Sequence, residues 1–263
     1  MQKLSLGAAA EQTKTFMRRE GSLVIPVAFA TFGLALMLAA LVTPEQAAGE
    51  KVEPGLWSLA ILPMMFLGLI GQLAISFLVL RPGVTVRDAL GAAMQRVPTA
   101  LGVVLLLIAG IFLLAFVLAL VITILGALLG ASTASATLVI FFMIMVTLVV
   151  VGARLLMAWP LLADRQAGVG PTVKQAFALS RGHVWKLIAL TFAFGLVYVL
   201  LSGAVQLGLG SILLIFGKLL GAEKAAAFLT SIIVALLGAI VQALWAVLLT
   251  NIYRQIAPVR EPA

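Results

Sequence analysis

The sequence predicts an all-α integral membrane protein. Six transmembrane helices are expected, as three parallel repeats, each an interfacial amphipathic helix followed by a transmembrane hairpin. Three observations carry this. Of 263 residues, 63% are hydrophobic and 10% charged, against about half and about a quarter in an ordinary soluble domain. Apolar runs such as LGVVLLLIAGIFLLAFVLALVITILGALLG exceed the ~18 residues that mark a membrane span. Finally, GVTVRDALGAAMQRV (83–97) and GPTVKQAFALSRGHV (170–184) are one design written twice.

Taken in chain order, residues 1–20 scatter Lys3, Glu11, Lys14, Arg18, Arg19 and Glu20 where a cleavable signal needs an unbroken apolar core. They are therefore not read as a signal. Spans follow near 22–43, 56–80, 99–128, 137–161, 186–215 and 228–250, because ~20 helical residues cross the hydrocarbon. The third and fifth runs are about 30 residues long and must tilt, protrude or break. Gly126 and Gly130, and the cluster Gly203, Gly208 and Gly210, mark places for a break or a close helix crossing.

The connecting segments sort by charge. Lys3, Lys14, Arg18, Arg19, Arg81, Arg87, Arg96, Arg154, Arg165, Lys174, Arg181, Lys186, Arg254 and Arg260 fall on one side, and Lys51, Lys218 and Lys224 on the other. Basic residues mark the cytoplasmic face, which accounts for the net charge of +8 without nucleic acid. Both termini are then cytoplasmic, as an even number of spans requires. Trp57, Trp159 and Trp185 fall at span ends, where interfacial indoles collect.

The repeated stretches read as helices. In the first, Val86, Ala89, Leu90, Ala93, Met94 and Val97 share one face, and Arg87, Asp88, Gln95 and Arg96 the other. Thr85 with Asp88 fits a capping box, and Thr172 with Gln175 is expected to do the same in the second. There Val173, Ala176, Phe177, Ser180 and Val184 make the matching face, and Pro82 and Pro171 are expected to end whatever precedes. A weaker copy opens the chain, with Ser5 as cap and Leu6, Ala9, Ala10, Thr13 and Met17 on one face. An apolar face with a basic flank lies at the headgroup boundary, where each Lys or Arg gains ~1 kcal/mol from anionic lipid. Arg87, Arg96, Lys174, Arg181 and Lys186 are the candidate interfacial basic residues. The repeats run approximately 5–80, 82–162 and 170–253 within a single membrane domain, 1–263. Parallel repeats differ from the inverted repeats of many alternating-access carriers.

The segments 159–195, WPLLADRQAGVGPTVKQAFALSRGHVWKLIALTFAFGL, and 243–256, ALWAVLLTNIYRQI, resemble the membrane domain of glycerophosphoryl diester phosphodiesterases. They also resemble related uncharacterised six-span bacterial membrane proteins. The likeness covers most of the chain as a layout, with Ala176, Ser180 and Gly182 on the elbow and Tyr253–Arg254 closing the last span. It implies architecture and a bacterial inner membrane. It does not imply phosphodiesterase activity, since no soluble catalytic domain is read in 1–263 and no catalytic residue carries over.

The inventory for chemistry is short. There is no cysteine, and His183 is the sole histidine. Glu45, Glu50 and Glu53 gather with Lys51 on the first outer loop and read as a solvated turn. No catalytic triad, phosphate loop or metalloprotease pattern occurs; no catalytic residue, metal or cofactor is expected. One charge lies within a span. Arg154 stands about eight residues before the end of the fourth, or ~12 Å, so it either lies shallow or faces a polar cavity. Gln72, Gln206, Gln242 and Asn251 are its candidate partners. An intramembrane ionisable residue is a functional candidate, and arginine binds phosphate bidentately. The expected function is a non-catalytic, lipid-interacting membrane protein that handles or senses lipid, or scaffolds a membrane partner or a second copy. The alternative is a transporter or channel for a small or amphipathic solute.

Overall fold

A computed structural model describes residues 4–42, 55, 59–129 and 133–257. The expectations at Lys3, Glu45, Glu50, Lys51, Glu53, Trp57, Gly130 and Arg260 lie outside them. The described chain is helical, with no strand. Six helices are long and apolar enough to cross a membrane: Leu6–Val42, Ile61–Leu80, Val86–Ile124, Thr137–Asp164, Val184–Leu219 and Glu223–Ile256. Each overlaps one expected span.

The first begins with α1 (Leu6–Ala28), where Ser5 Oγ accepts from the Ala8 N–H at 3.3 Å. It runs through a π-helical segment, Phe29–Gly33, into α2 (Leu34–Val42). The second is α3 (Ile61–Leu80). The third is α4 (Val86–Leu129), capped as expected: the Asp88 N–H donates to Thr85 Oγ1 at 3.2 Å, and Thr85 Oγ1 donates to Asp88 Oδ2 at 2.6 Å. The fourth breaks after α5 (Thr133–Leu155) and resumes as α6 (Ala158–Asp164). A separate α7 (Val169–Leu179) precedes the fifth, which comprises α8 (Val184–Val205), a π segment at Gln206–Gly210, and α9 (Ser211–Leu219). The sixth is α10 (Glu223–Ile256).

The elbows depart from expectation in two copies of three. Residues 5–19 and 85–97 are not separate helices, because each runs on into its span without a non-helical residue. At 1.5 Å per residue, the 44 residues of α4 extend about 66 Å, twice the hydrocarbon thickness. Pro26 and Pro98 lie inside these helices; neither interrupts them, as is common in apolar helices where neighbouring groups re-satisfy the freed carbonyl. Only the third copy is a distinct helix, closed by a turn at Gly182 with φ +80°. Its cap also differs. The helix starts at Val169, so Pro171 falls in the first turn, where no donor is needed. Thr172 Oγ1 donates back to Gly168 O at 2.9 Å rather than pairing with Gln175. Of the long runs, the third stays helical through Leu129, and the fifth is perturbed at its glycine cluster by the π segment.

The chain divides into two compact units, Met1–Val97 with Phe192–Ala263, and Pro98–Thr191. These boundaries cut across the second and third hairpins. In the first unit, α10 is the central strut. Asn251 Nδ2 donates to Thr13 Oγ1 on α1 at 3.1 Å, and Thr250 Oγ1 lies 3.1 Å from Ser76 Oγ on α3. All four side chains are buried, and such interhelical polar pairs fasten helices that lipid cannot drive together. Gly71 of α3 passes so close to Thr31 that a Cβ there would collide with Thr31 Oγ1. In the second unit, Phe112 and Phe116 on α4 and Phe141 and Phe142 on α5 are all exposed.

Candidate functional site

In the second unit, Arg154 stands in the last turn of α5, whose C-terminal carbonyls favour a cation. The helix ends one residue later, at Leu155, and resumes at Ala158. Its neighbour in this unit is aromatic. The guanidinium carbon lies 5.4 Å from the Phe177 ring centroid on α7, within cation–π range. Arg154 Nε is buried and has no hydrogen-bond acceptor. Phe177 also lines a groove of about 300 Å³ whose walls include Val103 and Leu107 of α4, Val151 and Leu155 of α5, and Val173 of α7. Thr147 is its one hydroxyl-bearing residue, and that hydroxyl donates to Met143 O at 2.8 Å. α4 and α7 approach closely because Gly102 faces Val169, with no room for a Cβ between them.

The interfacial candidates divide. Arg87, Lys174, Arg181 and Lys186 are exposed. Arg96 is not: it is 9% exposed, with its guanidinium 5.4 Å from the Phe77 ring centroid. This corrects its placement on the polar face. Residue 96 immediately precedes the buried Val97, and stacking on an aromatic face lets arginine bury its stem. Conversely Met94, expected on the apolar face, is 63% exposed. His183 Nδ1 lies 3.2 Å from Arg181 O within its own turn. Of the interfacial tryptophans, Trp185 is 80% exposed and Trp159 half-buried.

The three glutamines lie in the first unit and do not share one environment. Gln242 is exposed on α10. Gln72 on α3 is 9% exposed, with its Nε2 buried and unpartnered. Gln206 opens the second π segment and lines a cavity of about 570 Å³ with Tyr198, Ser211, Thr230 and Ser231. Sequence reasoning singled out Gln206 and none of these four neighbours. The signal available was the pair Thr230–Ser231 inside an apolar run; what it lacked was the bulge that turns Gln206 and Ser211 to meet it.

Among the described residues no group of three or more histidines and carboxylates converges on a metal position. Compared with known proteins, the chain matches no family model, no curated protein and no solved structure. The resemblance at 159–195 and 243–256 therefore rests on those residues. Within them Ala176 and Ser180 are buried, Gly182 forms the turn, and Tyr253 is buried beside the exposed Arg254.

Proposed function

We propose that this is a non-catalytic, multi-pass protein of a bacterial inner membrane, with three parallel hairpins and cytoplasmic termini, that binds anionic lipid. The resemblance of 159–195 and 243–256 to the phosphodiesterase membrane domain is in keeping with this reading. The observation that carries it is Arg154: a permanently charged guanidinium with a buried N–H lacking an acceptor, stacked on Phe177, which lines an apolar groove. A buried donor without an acceptor costs about 1–3 kcal/mol, more when charged. A lipid phosphate would answer it in fork geometry, while the groove takes acyl chain. Exposed Lys174, Arg181 and Lys186 would add headgroup attraction of ~1 kcal/mol each.

The test is lipid retention by native mass spectrometry after reconstitution in mixed phosphatidylglycerol and phosphatidylcholine. A charge-assisted hydrogen bond of about 1.5–3 kcal/mol predicts that Arg154→Gln loses phosphatidylglycerol preference by ~10- to 150-fold, with Arg154→Lys between. Wild-type preference in a folded Arg154→Gln protein overturns the reading. The second reading, a transporter or channel, draws on the cavity at Gln206; solute uptake by proteoliposomes, measured beside lipid flipping, distinguishes it.

A further inference from the structure

The 570 Å³ cavity of the first unit has a chemistry unlike that of the Arg154 groove. Its lining carries no Lys, Arg, Asp or Glu. It does carry Tyr198, Gln206 and three aliphatic hydroxyls, and those three hydroxyls are already committed as donors. Ser211 Oγ donates to Leu207 O at 2.6 Å, Thr230 Oγ1 to Ala226 O at 2.9 Å, and Ser231 Oγ to Ala227 O at 3.1 Å. A hydroxyl has one hydrogen and two lone pairs, so each of these oxygens has acceptor capacity left and no donor. From this we infer a second binding site, for an uncharged, hydroxyl-rich group: a sugar or polyol, as a lipid headgroup or free.

Charge rules out the neighbouring classes. A phosphate would meet three oxygens offering lone pairs and no cation. An ammonium would enter a low-dielectric site with no carboxylate, at the cost of an uncompensated charge. A polyol brings O–H donors to the three oxygens and takes hydrogen bonds in return from the Gln206 amide and the Tyr198 hydroxyl. Leu36, Leu207 and Val234 supply an apolar wall for the C–H face of a sugar ring or for a chain.

The backbone is shaped for this too. Gln206–Gly210 is π-helical, a distortion found frequently at functional sites because the extra residue re-aims its neighbours. It sits against Thr230 because Gly210 has no side chain: a Cβ there would come within 3.0 Å of Thr230 Cγ2. The other π segment, Phe29–Gly33, leads directly into α2, whose Leu36 and Ala40 complete the wall. Within this unit the cavity lies along the first half of α10, about five turns from the basic end at Arg254. The proposal is independent of the Arg154 reading.

The experiment uses the full chain in phosphatidylcholine nanodiscs with two probes, monoglucosyl diacylglycerol by native mass spectrometry and free glucose by calorimetry. Wild type should bind the glucosyl lipid, the sugar, or both; which arm responds identifies the source. Thr230→Val with Ser231→Ala should weaken the responding probe by ~10-fold or more, at a few-fold per hydrogen bond. Thr230→Ser, which keeps the acceptor, should bind as wild type does and guards against misfolding of the valine variant. Failure of wild type to bind either probe, an unaltered Thr230→Val/Ser231→Ala affinity, or equal competition by phosphatidic acid, which lacks a polyol headgroup, overturns the proposal.

Discussion

Two glycines one turn apart on α3 give a test of the packing in which the large unknowns cancel. Gly68 and Gly71 are both helical, and both become alanine by one added methyl. At Gly68 that methyl meets nothing within 4 Å. At Gly71 it collides with Thr31 Oγ1, comes within 2.9 Å of Thr31 Cβ and within 3.1 Å of Phe32 Cε1. Thr31 and Phe32 are buried, and the Thr31 hydroxyl is tied to Val27 O at 2.7 Å, so neither can step aside cheaply. Overpacking of this kind costs about 1–3 kcal/mol. Alanine's backbone advantage over glycine is about 0.5–1 kcal/mol in water, and smaller where the unfolded chain keeps its helix in lipid. That term is common to both sites. Gly68→Ala should thus change stability by between zero and ~1 kcal/mol in the favourable direction, and Gly71→Ala should fall below it by ~1–3 kcal/mol. The assay is denaturant unfolding in mixed micelles, followed by tryptophan fluorescence, to which Trp245 contributes, its ring tilted against Phe194 with centroids 4.7 Å apart. Thr31→Ala should recover part of the loss in the Gly71→Ala background and none in wild type. A Gly71→Ala protein as stable as Gly68→Ala would refute the close approach of α3 to the Phe29–Gly33 segment.

Two further expectations concern α10 and the orientation. A double-mutant cycle on Thr13 and Asn251 should give a favourable coupling of about 0.6 kcal/mol and no more than ~1.7 kcal/mol, the range for polar pairs between membrane helices; zero coupling by the same unfolding assay would mean the bond does not hold in lipid. Because the chain has no cysteine, single thiols report sidedness. Lys224→Cys should react with an impermeant maleimide on intact cells and Lys174→Cys only after lysis, and the reverse pattern would invert the proposed orientation.

The six long apolar helices were readable because hydrophobic length is a cumulative signal, indifferent to the identity of any one residue. The elbows were misread at their ends, and the reason lies in two aligned positions. Copy three has Gly182 where copy two has Gln95. Glycine just past a helix adopts the left-handed conformation that closes it, as φ +80° shows, whereas glutamine lets the helix continue through Pro98. The shared residues advertised one design, and the unshared one decided the structure. The first glycine of the motif misleads in the opposite direction. Gly83 has φ +86° in the turn after α3, but its counterpart Gly170 sits inside α7. Of the site candidates, Arg154 was legible as a charge in a span. Phe177 as its ring partner was not, since 23 residues separate them and no periodicity links two helices.

A period of 3.6 also cannot say what covers an apolar face; side-chain size can. Helices that dip into lipid by themselves present Leu, Phe and Trp, whereas helices that pack on helices present small residues. The buried positions of the three amphipathic segments are Ala9 and Thr13; Ala89, Ala93, Arg96 and Val97; and Thr172, Ala176 and Ser180, small except for Arg96 and Val97, while bulky Met94 is turned outward. Thr13 is held by Asn251 of α10, so the first segment is clamped to protein, not floated on lipid. In the reading we propose, a segment so held acts as a mount, and its lysines and arginines act by charge presentation, which salt screens over ~10 Å. In that lipid-binding reading, selectivity is assigned to Arg154 and Phe177, where a cation, an aromatic ring and an apolar groove meet.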